Sequence, residues 1–273
     1  MKVSKAIKIC LDYHQNHSKP NTVRSYGAIL KKFGLIFGDK DLEEISSEDI
    51  LTFLDTITDV TKQQTGRTRY SHLAAFFNFI INNIDEQIQN PCANQLLKKL
   101  YKANTPVQWD SFEKETIDEI IFRTTKLRNR LILELMAGGG MRIGEVLKLT
   151  PDDIAGQKLL IRDPKSGREQ EVIFITQKIA DRLREYITSK QIEFNQRIFP
   201  ISYEAARSMV KKAGEMVGVR LRPHAATYAS RSGVPVEIVS KIILRHSNLS
   251  TTQMYLGKVS DNEAMRWIEN LYA

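Results

Sequence analysis

Residues 137–149 read AGGGMRIGEVLKL, and this stretch decides how the second half of the chain is organised. Three consecutive glycines, Gly138 to Gly140, stop the helical pattern that precedes them, because glycine gives up the most backbone freedom on ordering. A new apolar-periodic segment, residues 143–149, starts almost at once, so Arg142 lies between a chain break and a helix start. Upstream, residues 112–123 and 128–137 have helical spacing. Downstream the hydrophobic period changes from that of a helix to that of a strand. Lys158–Arg162 and residues 171–175 are β-rich runs joined by DPKSGRE, whose Pro, Ser and Gly suit a hairpin turn with Lys165 at its tip. The pattern then returns to helix up to the end of the chain. Residues 242–257, IILRHSNLSTTQMYLG, place His246 nine residues before Tyr255. Ser250 and Gln253 have the spacing of a capping box, which predicts a helix that starts there and presents Tyr255 in its second turn.

The first hundred residues contain no strand pattern and predict a small all-helical bundle. Residues 3–13 put Val3, Ala6, Ile7, Cys10 and Leu11 on one face. A second segment opens at Asn21-Thr22, turns Val23, Tyr26, Ile29, Leu30, Phe33 and Phe37 inward, and ends at Gly38. Ser46 and Ser47 precede a third, residues 48–54, where a hydroxyl can accept an orphan backbone N–H. Residues 65–82 form a fourth, with Tyr70, Leu73, Phe76, Phe77 and Ile80 apolar and Arg67 and Arg69 near its start. Asn90-Pro91 closes this unit, and the basic run Lys98-Lys99-Leu100-Tyr101-Lys102 follows. Residues 103–110 lack periodicity and contain a proline, which makes them the linker between a helical domain, 1–102, and a second domain, 111–273. The fold class expected is mainly α with a small β-hairpin or sheet (α+β).

Composition closes several doors. The 273 residues are 42% hydrophobic and 26% charged, ordinary values for a globular chain. No apolar run approaches the roughly 18–20 residues of a bilayer helix, and no secretory signal is visible at the start. Cys10 and Cys92 are too few for a disulfide framework or a thiolate metal site, so a reducing, cytoplasmic setting is expected. The five histidines lack ligand spacing, and neither GxxxxGK[ST] nor GxSxG occurs. The reading therefore calls for no metal, no cofactor and no membrane. Forty Lys and Arg against 32 Asp and Glu give a net charge of +8, with a pI near 9.3. The excess is spread over both halves, compatible with one polyanionic partner touching both.

Taken singly, each polar residue named has a plainer reading. Tyr255 could be half-buried packing, Arg142 a surface arginine, Lys165 a solvated turn residue, and His246 a satisfied core histidine. Their joint occurrence, in this order and with a hairpin between them, resembles the tyrosine recombinase (phage integrase) family. The family's first box looks like GMRIGEVLKL, with Arg142 as its arginine and Glu145 beside it. Its hairpin lysine falls on Lys165, 23 residues on. Its last box, an LGH…STTQxY pattern, is similar to Leu244-Arg245-His246…Ser250-Thr251-Thr252-Gln253-Met254-Tyr255, with Arg245 standing where glycine is commoner. The helical bundle resembles the family's core-binding domain, so the likeness covers nearly the whole chain.

The second box, roughly P-H-x-L-R-H-x-x-A-T, is altered here to VRLRPHAATYASRSG. Aligned from Thr227, Arg222 takes the second arginine's place, 24 residues before His246, and Val219 takes the histidine's. Aligned from Pro223-His224, those two match P-H and the arginine is missing. Arg222 is the working assignment. His224 fits either hydrogen bonding at a helix start or catalysis.

The resemblance implies a site-specific recombinase that cuts and rejoins double-stranded DNA through a 3′-phosphotyrosine. Its site residues would be Tyr255, Arg142, Lys165, His246 and Arg222, and its assembly a homotetramer on paired DNA sites, a monomer or weak dimer when free. Arg67, Arg69, Lys98, Lys99 and Lys102 are candidate phosphate contacts. Residues 261–273, with Ala264, Met265, Ile268 and Leu271 apolar, would either fold back or dock on a neighbouring subunit, as the resemblance implies. An alternative is a DNA-binding protein of the same fold with impaired catalysis, because of the altered second box. A helical regulator unrelated to recombinases would instead lack the hairpin at Lys165.

Overall fold

The computed structural model describes residues 1–58, 63–101, 114–164, 169–215, 221–253, 256, 265, 268 and 269, with the side chains of 215, 222 and 223 excepted. The chain divides into two compact units, Met1–Thr105 and Pro106–Ala273.

In the first unit, α1 (Val3–His17), α2 (Pro20–Phe37), α3 (Ser47–Ile57) and α4 (Gln63–Asn83) enclose an aromatic core. Phe33, Phe53, Phe76 and Phe77 are fully buried, and Phe33 meets Phe53 edge to face at 5.1 Å between ring centroids. This geometry sets the positive edge of one ring against the negative face of the other. The serine-led start of α3 forms as expected. Ser46 Oγ accepts from the Asp49 N–H at 3.1 Å, and the Ser46 N–H donates to Asp49 Oδ2 at 3.0 Å. Such a cap satisfies two orphan donors and contributes about 1 kcal/mol. A short helix, α5 (Gln95–Leu100), extends this unit beyond Asn90-Pro91, anchored by buried Leu97. Cys10 and Cys92 are buried and unpaired, and burial pushes their thiols up to about 11 and about 12.

The second unit is built on α7 (Leu127–Gly138), which packs on α6 (Lys114–Arg123), α8 (Ile143–Val146), α9 (Gln177–Ser189) and α11 (Leu221–Arg231). Because α7 is contacted on several sides, Leu131 through Met136 are all buried, Glu134 among them. That carboxylate is compensated by Arg130 and Arg182. The remaining helices of this unit are α10 (Tyr203–Glu215), α12 (Val236–Ile238), which runs on into a π-helical stretch (Val239–Leu244), and α13 (Leu249–Gln253).

The sheet is antiparallel in the order β1 (Ile154–Ala155), β2 (Lys158–Arg162), β3 (Gln170–Phe174). The hairpin strands are where the alternation placed them, and β1 escaped notice because two residues carry no period. Leu159, Ile161 and Ile173 face the core. Glu171 shares that face, paired in register with Ile161.

Two local expectations are corrected. The helix after Arg142 spans Ile143–Val146 rather than 143–149, since the chain turns at Leu147 so that Leu149 can be buried and pair its carbonyl with the Ile198 N–H. Helix α13 begins at Leu249, not at Ser250. The Asn248 carboxamide accepts from the Ser250 N–H at 3.0 Å and displaces the serine as the cap. Among the described residues, no helix is long and apolar enough to cross a membrane.

Candidate functional site

Arg142 follows directly on the glycine break. Gly140 adopts φ +60°, and a Cβ there would come within 2.7 Å of the Ile243 carbonyl oxygen. Only glycine lets this loop lie so close to the end of the π-helical stretch. Arg142 then occupies the extended position immediately before α8, and the first turn of that helix holds it through Glu145. Glu145 Oε1 accepts from Arg142 Nη1 at 2.6 Å, and Oε2 accepts from the Arg142 backbone N–H at 2.9 Å. Glu145 thus orients Arg142 from the first turn of α8.

The same carboxylate serves a second arginine, one that sequence reasoning passed over. Arg245 Nη2 donates to Glu145 Oε2 at 2.7 Å, and its Nε donates to Glu171 Oε2 at 3.1 Å. Nη1 donates to the Ile243 carbonyl at 2.9 Å. The Arg142 side chain is 29% exposed, whereas those of Glu145, Arg245 and Glu171 are 8%, 2% and 3% exposed. The network therefore runs from a half-open arginine into the protein interior.

Arg245 stands at φ +55°. It ends the π-helical stretch, where the His246 N–H donates to the Ser240 carbonyl at 2.9 Å, in the left-handed position that glycine usually takes after a helix. A non-glycine residue there costs about 1–2 kcal/mol. Two signals in the sequence could have revealed it. One is a glutamate on the inward register of β3, and the other an arginine where the last box favours glycine.

His246 follows Arg245 and is buried. Its Nδ1 lies 3.0 Å from Thr252 Oγ1, and that hydroxyl donates to Ser240 Oγ at 2.8 Å. Thr252 thus links the imidazole to Ser240 and fixes the ring's orientation.

Burial works to raise the Glu145 carboxyl, but the charge of Arg245 and the bonds and charge of Arg142 hold it below the usual glutamate value of 4.5. Burial holds the Arg245 guanidinium below its ordinary value, and the charges of Glu145 and Glu171 offset this only in part. A depressed folded-state value means that Glu145 stabilises the fold fully above pH 4.5 and loses that contribution as pH falls through its folded value. In urea unfolding at a series of pH values, the protein is expected to exceed Glu145→Gln in stability near neutrality. The gap should close as pH drops below 4.5, because a protonated glutamate resembles glutamine. A gap that persists unchanged into acid would show that Glu145 is not held ionised.

The structure thus brings Arg142 and His246 into one neighbourhood, through Glu145 and Arg245. Tyr255 and Lys165 lie outside the described residues, as do Lys102 and the linker 103–110. Arg222 lies in the first turn of α11, and only its backbone is described. His224, on the same helix, is buried and stacks with Tyr228 at 5.9 Å. In the first unit Lys98 and Lys99 are exposed on α5 and Arg67 is partly exposed. Arg69 donates to the Ile57 carbonyl and, at 3.1 Å, to Thr58 Oγ1, closing the C-terminal end of α3. No cluster of three or more His, Cys, Asp or Glu able to hold a metal ion occurs among the described residues.

The chain is 24% identical over 257 residues to tyrosine recombinase XerA of Saccharolobus solfataricus, covering 88% of this chain and 84% of that protein. It is 26% identical over 294 residues to a tyrosine recombinase of Thermosipho africanus, covering 98% and 100%. In fold it is similar to a lambda integrase tetramer bound to a Holliday junction, with a TM-score of 0.73 at 18% identity, covering 96% of this chain and 80% of that one. Residues 11–83 match the phage integrase N-terminal SAM-like domain. Residues 110–261, more than half of the chain and the part that carries Arg142, Glu145, Arg245 and His246, match the remaining model, and the protein therefore belongs to the phage integrase family.

Proposed function

We propose that this protein is a site-specific DNA recombinase that cleaves and rejoins double-stranded DNA through a 3′-phosphotyrosine. The observation that carries this reading is the shared carboxylate of Glu145. It fixes Arg142 and is itself bonded to Arg245, the residue next to His246, which ties the arginine to the turn that carries the histidine across about a hundred residues of sequence.

In the proposed reaction the Tyr255 phenol oxygen attacks the scissile phosphorus as its proton leaves. The bond from phosphorus to the 5′ oxygen breaks, and that oxygen takes a proton from Lys165. The strand ends in a phosphotyrosine and a free 5′-hydroxyl. Because one phosphoester replaces another, a 5′-hydroxyl of the partner strand can reverse the step and rejoin the DNA. Arg142, with Arg222, neutralises charge on the non-bridging oxygens, since a guanidinium fork binds two oxygens at once and never loses its charge. His246, oriented by Thr252, gives a hydrogen bond to the phosphate or relays the phenol proton. Residues 1–102 serve as the DNA-binding bundle and 111–273 as the catalytic domain, with Arg67, Lys98, Lys99 and Lys102 offered to the backbone phosphates, while Arg69 is engaged at the end of α3. Four copies act on two paired duplexes, in the cytoplasm. The exposure of Met265 and Ile268 supports a tail that docks on a neighbouring copy.

The altered second box, around Arg222 and His224, favours a second reading, a DNA-binding protein of this fold that no longer cuts. One experiment separates the two. A duplex is selected by binding from a random pool, then rebuilt with a nick a few bases 3′ of each phosphate in turn. Cleavage next to a nick frees a short fragment, so the enzyme is trapped. A covalent protein–DNA band that survives denaturation is expected at one nick position. Tight, selective binding without an adduct at any position would establish the non-cutting reading.

A further inference from the structure

We propose that Arg245 is a positioning residue for strand cleavage: bridging Glu145 and Glu171, it holds the Glu145 carboxylate in the place from which that carboxylate aligns Arg142. This inference rests on the recombinase reading above for its effect on cleavage.

Three observations carry it. Glu171 occupies a core-facing register position in β3 and has one oxygen, Oε1, without a hydrogen-bond partner among the described residues. Its other oxygen, Oε2, accepts from Arg245 Nε at 3.1 Å. Glu145 Oε1 accepts from Arg142 Nη1, while Oε2 accepts from both the Arg142 backbone N–H and Arg245 Nη2, so the buried arginine helps to fix the carboxylate that the half-open arginine leans on. Finally, Arg245 keeps a left-handed backbone at φ +55°, which glycine would adopt without strain. The side chain is thus retained against a local preference, as expected where it does something that a glycine there cannot. The chain of contacts also joins β3, a strand of the hairpin that leads to Lys165, to the loop that carries His246. Without the guanidinium, Glu145 loses the charge that does most to offset its burial, takes up a proton more readily, and ceases to be a fixed anionic acceptor for Arg142.

The test has two arms. In the free protein, ¹³C-labelled glutamate reports the Glu145 titration. Arg245→Gly is expected to move its midpoint from below 4.5 to above it, and Arg245→Lys to recover part of the change, since an ammonium is a point charge that cannot span both carboxylates. An unmoved midpoint overturns the proposal. On the nicked duplex selected above, Arg245→Gly is expected to slow adduct formation about 10²-fold, the effect of a misplaced catalytic group, with DNA affinity held within about twofold. Placed on Arg142→Ala, Arg245→Gly should add less than a further twofold or so, because both changes remove one function. Losses that multiply would overturn the proposal and assign Arg245 to stability alone. If Arg245→Gly does not fold, Arg245→Gly with Glu171→Gln removes the orphaned carboxylate and carries the same kinetic readouts. Should the unaltered protein form no adduct, the recombinase reading falls, and the titration still judges whether Arg245 holds Glu145.

Discussion

Tyr255→Phe is expected to abolish the covalent protein–DNA adduct while leaving duplex binding within about twofold of the unaltered protein. The substitution removes a single oxygen and keeps the ring. A phenol ionises near ~10, so at neutral pH it attacks only as its proton is taken. Removing the nucleophile of a covalent catalyst costs on the order of 10⁶ in rate where this has been measured, so the adduct should drop below detection. Quantifying adduct on the nicked duplex, beside a binding titration of the same preparation, checks both halves. An adduct that persists at a comparable rate would place the nucleophile elsewhere in the chain. Equal loss of binding would mean that the hydroxyl contacts DNA rather than attacks it.

The second large effect is that of Arg142→Ala, expected to slow adduct formation about 10²–10³-fold, the typical consequence of removing one donor that stabilises developing charge. Arg142 suits this role because it is the open end of an otherwise buried network, with its side chain 29% exposed and held by Glu145 at 2.6 Å. Its guanidinium can reach a phosphate while the carboxylate behind fixes its direction. Arg142→Lys should recover only part of the rate, since an ammonium cannot present two parallel donors. Single-turnover rates at saturating protein isolate the chemical step from affinity. If Arg142→Ala changed only the concentration needed for half-saturation, the residue would be a binding contact, and charge stabilisation would have to come from other groups.

The candidate site was legible in proportion to how local its signals are. Arg142 and Glu145 lie three residues apart across a helix start, and the glycine run announces the break, so their partnership could be read from spacing. His246 was read from the last box, but its Thr252 and Ser240 partners were not, because Ser240 belongs to the turn before it and meets Thr252 only once the helix end closes. Arg245 was noted as a departure from glycine without a role. Its two carboxylates lie 74 and 100 positions away, beyond any periodicity argument. The opening of α13 went to Asn248 instead of Ser250 because two capping groups competed and the sequence does not rank them.

The order and type of the elements were determined by the chain itself: the apolar faces of α1 to α4, the glycine break, the paired β runs and the return to helix are all short-range patterns, set by 3.6- and two-residue periods. The electrostatic interior was decided by the tertiary structure alone. A buried glutamate on β3, an arginine in a left-handed turn and a carboxylate on α8 are each unfavourable when considered separately. They become compatible only when folding sets them within hydrogen-bonding distance in a medium too poor in water to stabilise any one of them by itself.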